Sequence, residues 1–277
     1  MKIDKNVLKR TFLVTDFGLG IIINSKKFIG ILFFIFIINT LPGLVAYVVG
    51  AKEPAYLVVE FVIDFFAKWE ILLISEVFSI ILPLFIVSIL VNDQIRLRRI
   101  YNMLIRPVKR EQIYIGLIIS LFLIHLMIGL MLGIYLYLIT NIGLLLSGNG
   151  IIFSIDIVSQ ITLFLLITSF FYGNLMGFIS LLTKDYGLRS IIIFFFVTML
   201  YDLIFTALGG GYIYLTINYY KISILVNTTS NWLLKEKLSD SLTIQPANLI
   251  TSISNLLIVS LIFFIASVII FKEMDIT

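Results

Sequence analysis

Long apolar runs, separated by short polar stretches, follow one another along almost the whole chain. Six runs are long enough, or nearly so, for a helix to cross ~30 Å of hydrocarbon, which takes ~20 residues at 1.5 Å per residue. The six runs are Ile29–Val49, Ile71–Val91, Ile113–Thr140, Ile157–Leu182, Ser190–Leu208 and Leu249–Phe271. The pattern predicts an all-α, polytopic membrane protein with six transmembrane helices, numbered here as the first to sixth spans. We expect residues 1–277 to form a single transmembrane domain.

Residues 1–28 precede the first span and mix apolar with basic positions. The apolar positions are Ile3, Val7, Leu8, Phe12, Val14 and Phe17, and the interleaved basic positions are Lys5, Lys9 and Arg10. This roughly helical spacing predicts an amino-terminal amphipathic helix on the cytoplasmic surface, which we call the lead-in helix. The alternative is an ordinary positively charged flank.

A shorter apolar stretch follows the first span. Over Ala55–Trp69 the charged residues Glu60, Asp64 and Lys68 recur every four positions and therefore share one helical face. Asp64 and Lys68 can pair across one turn. The stretch predicts a helix that lies along the outer membrane interface, with Trp69 at the level of the headgroups.

The segment between the fifth and sixth spans, residues 209–248, is the longest region predicted to lie outside the membrane. It begins with Gly209–Gly211, where a helix is expected to break. The apolar stretch Tyr212–Val226 is too short for a span and indicates an interfacial or re-entrant piece. Asn227 opens an Asn-Thr-Thr triplet, a pattern that fits a glycosylation acceptor and also arises often by chance.

Charge orients the predicted spans. The chain is 60% hydrophobic and only 13% charged, with a mean hydropathy of +1.12, which excludes an ordinary soluble domain. Of 20 Lys and Arg residues, 15 lie before the first span, in the second-to-third and fourth-to-fifth loops and in the tail. By the positive-inside rule, we expect both termini to be cytoplasmic, in a multi-pass protein of the plasma membrane. The basic excess then faces anionic lipid headgroups, so we expect membrane lipids and no nucleic acid as partners.

Residue types that support catalysis or metal binding are scarce. The chain has no cysteine and a single histidine, His125, which excludes a thiolate site and a histidine-rich metal centre. His125 has no serine one turn away, and no G-x-x-x-x-G-K-[ST] sequence is present to bind ATP phosphates. We therefore predict no catalytic residue, no metal, no cofactor and no enzymatic activity in this chain.

Three ionisable residues fall inside predicted spans, where charge is costly. Glu76 lies in the outer part of the second span, His125 near the middle of the third, and Asp202 toward the outer end of the fifth. These residues are candidates for lining a transport pathway. The alternative is that each is a structural polar group that faces the bundle.

Glycines recur at four-residue spacing in two consecutive spans. The pairs are Gly129 with Gly133 in the third span and Gly173 with Gly177 in the fourth. Small residues one turn apart let helix backbones approach closely. We expect these glycines to pack the two spans on each other or to form the interface of a dimer.

The loop between the second and third spans, residues 92–112, carries six basic residues and a central proline. Its sequence resembles that of the permease subunits of type-2 ABC exporters. In that family an apolar pair is followed by proline, by a basic residue three positions on, and by isoleucine and glycine that open the third span. The matching residues here are Met103, Leu104, Pro107, Arg110, Ile113 and Gly116.

The tail adds to this resemblance, and two loop positions depart from it. The ending FKEMDI keeps Phe271, Asp275 and Ile276 of the family's ending, with only one of its basic residues. In the loop, Arg98 and Arg99 stand where the family usually has Gly-Thr, and Leu117 stands where it usually has Lys.

The resemblance implies a subunit that forms the export pathway and has no enzymatic activity of its own. It implies pairing with a second permease copy or a paralogue, and with separate cytoplasmic ABC ATP-binding subunits. Residues 100–110 would form a coupling helix, with apolar side chains seated in a groove of the ATPase and arginines at its acidic rims. The coupling residues would be Arg98, Arg99, Ile100, Met103, Leu104, Arg106, Pro107 and Arg110.

Three other classes remain open. A secondary transporter is disfavoured by the absence of clustered charges and of an internal repeat in the sequence. A membrane-embedded enzyme is disfavoured by the missing catalytic residues. A sensor or immunity protein that does not transport could share the same scaffold.

The topology can be tested with single cysteines introduced at Lys5, Ser147, Lys184 and Ser239. In intact cells, a membrane-impermeant thiol reagent should label only the cysteines at positions 147 and 239, because the basic residues place the other two in the cytoplasm. Permeabilised cells, in which all four cysteines should react, provide the control. External labelling at position 5 would contradict the predicted orientation.

Overall fold

A computed structural model describes residues 5–96, 100, 108–184, 187–242 and 244–274. These residues are almost entirely helical and contain no strand, which confirms the all-α class. The helices are Lys5–Ile23, Lys26–Ile38, Leu41–Gly50, a composite helix over residues 55–96, Arg110–Leu146, Asp156–Thr183, Leu188–Leu208, Ile217–Thr228, Trp232–Asp240 and Leu249–Glu273.

Within the described residues, six helices are long and apolar enough to cross a membrane, which confirms the predicted multi-pass architecture. The six spans are Lys26–Gly50, Leu57–Arg96, Arg110–Leu146, Asp156–Thr183, Leu188–Leu208 and Leu249–Glu273. The first span is divided by a turn at Asn39 and Thr40. The Asn39 side chain is buried there and donates a 2.7 Å hydrogen bond to the carbonyl of Ile35.

The second, third and fourth spans form the centre of the bundle. Phe66, Leu121 and Phe164, one from each of these spans, are at most 1% exposed. By contrast, Phe196 of the fifth span and Ile262 of the sixth are 62% and 61% exposed. Lipid tails are as apolar as these side chains, so the outer surface of the bundle suits contact with hydrocarbon.

The predicted interfacial helix is instead the beginning of the second span. Trp69 and Glu70 have helical φ, ψ values of −64°, −45° and −59°, −45°, so the helix continues through them. The span has 40 residues, or about 60 Å at α-helical rise, which is roughly twice the thickness of the hydrocarbon. Its first part therefore extends the bundle beyond one membrane face. The predicted pair of Asp64 and Lys68 is confirmed, with 2.7 Å between Oδ2 and Nζ.

Two segments of the second span are wound as π-helix. They are Glu70–Phe78 and Ser88–Asn92, on either side of the α-helical segment Ser79–Val87, which contains Pro83. Proline lacks an N–H, so the backbone bond to the carbonyl four residues earlier cannot form. π-Helical turns are rare and occur often at functional sites.

The region predicted to be interfacial or re-entrant contains a helix that packs into the bundle. After a 3-10 turn over Gly210–Leu215, the helix Ile217–Thr228, here called the inserted helix, packs against the second, fourth and sixth spans. Thr216 caps it, because its hydroxyl accepts a 3.2 Å hydrogen bond from the backbone N–H of Tyr219. Most of its residues are buried, so it is part of the core and not a surface loop.

The lead-in helix Lys5–Ile23 is present and packs across the start of the third span. A Cβ atom on Gly116 would lie only 2.7 Å from Cβ of Val14, so the two backbones cross closely at this glycine. The Thr15 hydroxyl donates to the carbonyl of Gly116 at 3.3 Å, and the Ser120 hydroxyl donates to the carbonyl of Thr15 at 2.9 Å. Phe12 and its apolar neighbours remain exposed, which fits an amphipathic helix at a membrane surface.

The glycine pairs hold the third and fourth spans of one chain together. A Cβ atom on Gly129 would lie 2.9 Å from Cα of Thr162, and one on Gly133 would lie 2.8 Å from Cα of Val158. Gly173 and Gly177 are likewise covered by side chains of the third span, those of Leu121 and Tyr114.

The expectation that spans pack on each other through these glycines is therefore confirmed, and the alternative of a dimer interface at the same glycines is wrong. The sequence spacing indicates close packing but does not identify the packing partner.

Replacing Gly133 with Leu should destabilise the bundle. The new side chain would collide with the backbone of the fourth span, at a cost of about 1–3 kcal/mol for overpacking. The thermal unfolding midpoint in detergent should fall accordingly. Gly30→Leu is the matched control, because a Cβ atom at position 30 meets nothing within 4 Å. Equal midpoints for the two variants would contradict this account of the helix crossing.

Candidate functional site

Lys221 of the inserted helix is the centre of a buried polar cluster. Its side chain is 0% exposed, and its Nζ donates a 2.9 Å hydrogen bond to the carbonyl of Ser75 in the π-helical part of the second span. The same Nζ lies 3.6 Å from Oε1 of Glu76 and 5.6 Å from the ring centroid of Tyr172. The ammonium group thus connects the inserted helix to the second and fourth spans.

Two of the three predicted pathway residues belong to this cluster. Glu76 also accepts a 3.4 Å hydrogen bond from Nδ2 of Asn218 on the inserted helix. Asp202 of the fifth span accepts a 2.7 Å hydrogen bond from the backbone N–H of Ile217, so it satisfies a free donor at the start of that helix. We call Ser75, Glu76, Asp202, Asn218 and Lys221 together the Lys221 cluster.

The protonation state of Lys221 depends on the carboxyl groups near it. Burial lowers the pKa of Lys221, and the nearby carboxylates of Glu76 and Asp202 oppose that shift by favouring the ammonium form. Breaking a buried pair by removing one partner is strongly destabilising, because the remaining charge is left without compensation. The cluster therefore ties the position of the inserted helix to the relative position of the second and fifth spans.

His125 does not belong to this cluster. It is fully buried in the third span, with Nδ1 2.8 Å from the carbonyl of Leu121 on its own helix. Its Nε2 is buried and has no hydrogen-bond partner in the described residues.

A second polar contact lies farther along the same helices. Nε2 of Gln160 in the fourth span donates to the carbonyl of Leu225 on the inserted helix at 3.0 Å, and to Oε2 of Glu70 at 3.4 Å. Glu70 and Gln160 are both 0% exposed. This contact joins the second span, the fourth span and the inserted helix for a second time.

Sequence reasoning missed Lys221, Glu70 and Gln160. Lys221 lies in the segment 209–248, which the sequence predicts to be outside the membrane. Glu70 lies one residue before the predicted start of the second span, so it is not among the charges that fall inside predicted spans. Gln160 is uncharged and gives no charge-based signal.

A cavity of about 310 Å³ lies beside the Lys221 cluster, between the fourth, fifth and sixth spans and the inserted helix. Its wall is mainly apolar and aromatic, and Tyr201, Tyr220 and Asn255 are among the polar residues that line it. Tyr201 and Tyr220 directly precede Asp202 and Lys221, so the cavity adjoins the charged cluster. Its size and lining suit a small, largely apolar molecule.

In the part of the chain that the structure describes, no three His, Cys, Asp or Glu side chains are grouped so that they could hold a metal ion. In the Lys221 cluster, one ammonium group, that of Lys221, faces the two carboxyl groups of Glu76 and Asp202.

The second-to-third loop and the tail meet at one end of the bundle. The Arg110 guanidinium donates a hydrogen bond to the carbonyl of Met274. The rings of Tyr114 and Phe271 pack with centroids 5.5 Å apart, and Phe271 is fully buried. At the same end Asp93 forms ion pairs with Arg96, at 3.0 Å, and with Lys27, at 3.8 Å.

The structure alters the predicted roles of two coupling residues. Ile100, expected on an exposed docking face, is 0% exposed and therefore packs inside this chain. Arg110, expected at the rim of a partner's groove, is already bonded to Met274. The remaining coupling residues lie outside the described residues: Arg98, Arg99, Met103, Leu104, Arg106 and Pro107.

No protein-family model matches the sequence, and a search of curated proteins finds no significant match.

Lys221→Met should destabilise the protein, because Glu76 and Asp202 would lose their compensating charge. We expect a loss of about 3 kcal/mol, at the low end for breaking a buried pair because Glu76 is partly exposed. The double variant with Glu76→Gln should recover part of this loss. Thermal unfolding in detergent provides the measurement.

Lys68→Met is the matched control. Lys68 pairs with Asp64 on an exposed face, where such a pair contributes only about 0.3–0.5 kcal/mol. A Lys221→Met variant as stable as this control would show that the cluster does not hold the inserted helix.

Proposed function

We propose that this chain is the permease subunit of an ATP-driven ABC exporter. It forms the substrate pathway in the plasma membrane, has both termini in the cytoplasm and pairs with a second copy or a paralogue. Separate cytoplasmic ATP-binding subunits supply the energy. The observation that carries the proposal is that the two segments resembling the type-2 exporter permeases, the loop and the tail, are joined at one end of the bundle.

Several matching residues have a structural role at that end. Arg110 binds the tail at Met274, and Phe271 packs on Tyr114 one turn into the third span. Gly116 allows the lead-in helix to cross the third span in close contact. Matching residues that lie together and contact one another support the family resemblance better than the same residues scattered over the fold would.

The same contacts suit mechanical coupling. The loop is tied to the bundle near both of its ends, by the ion pair of Asp93 with Lys27 and by the hydrogen bond of Arg110 with Met274. Ile100 anchors it from within. A force applied to this loop by an ATPase would therefore pass to the second and third spans as rigid elements.

The proposed pathway includes the Lys221 cluster and the cavity beside it. Movement of the second span relative to the inserted helix would change the distance from Glu76 to Lys221, and the inserted helix lines the cavity. His125 is buried elsewhere in the third span, and its part in the pathway stays a prediction.

The proposal predicts that replacing Met103 and Leu104 with Asp abolishes ATPase binding. The change places two charges where an apolar contact is expected, which costs several kcal/mol. The chain is purified in mild detergent from its native cells, and a photoreactive ATP analogue marks bound ATP-binding subunits. The wild-type preparation should contain a labelled subunit and vanadate-sensitive ATPase activity, and the double variant should contain neither.

The double variant Ile151→Asp and Ile155→Asp is the matched control. Both isoleucines are more than 60% exposed in the loop between the third and fourth spans, at the opposite end of the bundle. This control should keep the labelled subunit. If the wild-type chain binds no ATP-binding subunit, the exporter proposal fails, and a secondary transporter or a non-transporting sensor becomes the better explanation.

A further inference from the structure

Glu70 is a carboxyl group buried in the bundle without a cation. It is 0% exposed, and none of the ion pairs in the described chain includes it. Its single hydrogen bond in the described chain comes from Nε2 of Gln160, at 3.4 Å. An ionised carboxylate in such a place is expensive, because neither water nor a positive charge compensates it.

Neighbouring charged groups are bonded elsewhere. The titratable groups on the elements packed against this π-helical segment are Glu60, Asp64, Lys68, Glu76, Asp156, Tyr172, Tyr219, Tyr220 and Lys221. Lys68 is paired with Asp64, and Lys221 with Glu76. Asp156 accepts a 2.8 Å hydrogen bond from the backbone N–H of Ser230. On these described elements, the ammonium groups of Lys68 and Lys221 are therefore both bonded elsewhere and do not neutralise Glu70.

The hydrogen bonds around Glu70 are incomplete on two atoms. The two hydrogens of the Gln160 amide go to Leu225 and to Oε2 of Glu70. Oε1 of Glu70 and Oε1 of Gln160 are both buried and have no hydrogen-bond partner among the residues that the structure describes. Buried polar atoms in folded proteins are rarely left unpaired. When Glu70 is ionised both oxygens can only accept hydrogen bonds, whereas a hydrogen on Oε1 of Glu70 would be a donor for Oε1 of Gln160.

We propose that Glu70 and Gln160 form a proton-binding site, in which a neutral carboxyl and an amide exchange two hydrogen bonds. In this pair, N–H of Gln160 donates to Oε2 of Glu70, and O–H of Glu70 donates to Oε1 of Gln160. Loss of the proton breaks the O–H bond, transfers the proton to water and leaves a carboxylate facing the amide oxygen. The two oxygens then repel each other.

Proton release would loosen the inserted helix. The same Gln160 amide binds Leu225 of that helix, so repulsion at Glu70 disturbs the contact that joins the second span, the fourth span and the inserted helix. The site thus makes the seating of the inserted helix sensitive to proton concentration. This behaviour requires no ATP and is independent of the exporter proposal.

Infrared spectroscopy of the full-length protein in lipid tests the protonation state directly. At neutral pH the spectrum should contain the carbonyl band of a protonated carboxylic acid, which a carboxylate lacks. Glu70→Gln should remove the band, because Gln can make the same two hydrogen bonds without an acid proton. Glu60→Gln is the matched control, since Glu60 is an exposed acid earlier in the same helix.

Hydrogen exchange tests the consequence for the inserted helix. As pH rises, amides of Ile217–Thr228 should lose protection in the wild type relative to Glu70→Gln measured at the same pH. If Glu70→Gln does not fold, selective carbon-13 labelling of glutamate in the wild type should shift the same infrared band.

Two outcomes would overturn the proposal. One is a wild-type spectrum with no such band at neutral pH. The other is a thermal midpoint that rises with sodium or potassium but not with a bulky organic cation, in the wild type and not in Glu70→Gln. That result would show that a metal cation, and not a proton, lies between the unpaired oxygens.

Discussion

The close approach of helix backbones along the third span is the constraint on which the rest of the bundle depends. Inside a bilayer, apolar side chains gain little by leaving lipid for protein, so helices associate through tight van der Waals packing. The third span provides this packing at three levels. The lead-in helix approaches closely at Gly116, and the fourth span does so at Gly129 and Gly133. The backbone of Gly43 in the first span approaches closely at Gly143.

The polar contacts add specificity to this packing. Tight glycine crossings determine which helices touch, but they leave the inserted helix and the fifth span without a comparable anchor. The Lys221 cluster and the contact of Gln160 with Leu225 supply one, because Lys221 and Gln160 are fully buried and need their partners. A chain segment that begins outside the predicted spans thereby becomes part of the core.

Much of the fold follows from the sequence, because hydropathy directly reports the length a helix needs in lipid. The six spans were predictable for that reason, and the lead-in helix and the pair of Asp64 and Lys68 follow from the helical spacing of their residues. The continuity of the second span with Ala55–Trp69 was not predictable. The charged residues Glu60, Asp64 and Lys68 mark an exposed helical face, and such a face occurs both on a helix that lies along the membrane and on one that extends out of it. The candidate site was predicted only in part: Glu76 and Asp202 were identified as intramembrane charges, but their partner Lys221 comes from a distant segment that only the tertiary fold brings to them.

The two π-helical segments of the second span allow one part of that helix to rotate relative to the other. A π turn holds about one residue more than an α turn, so converting one to the other would rotate the two sides of the helix by about 100° relative to each other. Glu70 and Glu76 lie on the first segment, and Asn92 lies on the second, next to the basic loop. A twist at one end of the span could therefore be taken up, or passed on, by a shift of backbone register. The second span could then rotate about its own axis at either π-helical segment, without bending at a hinge.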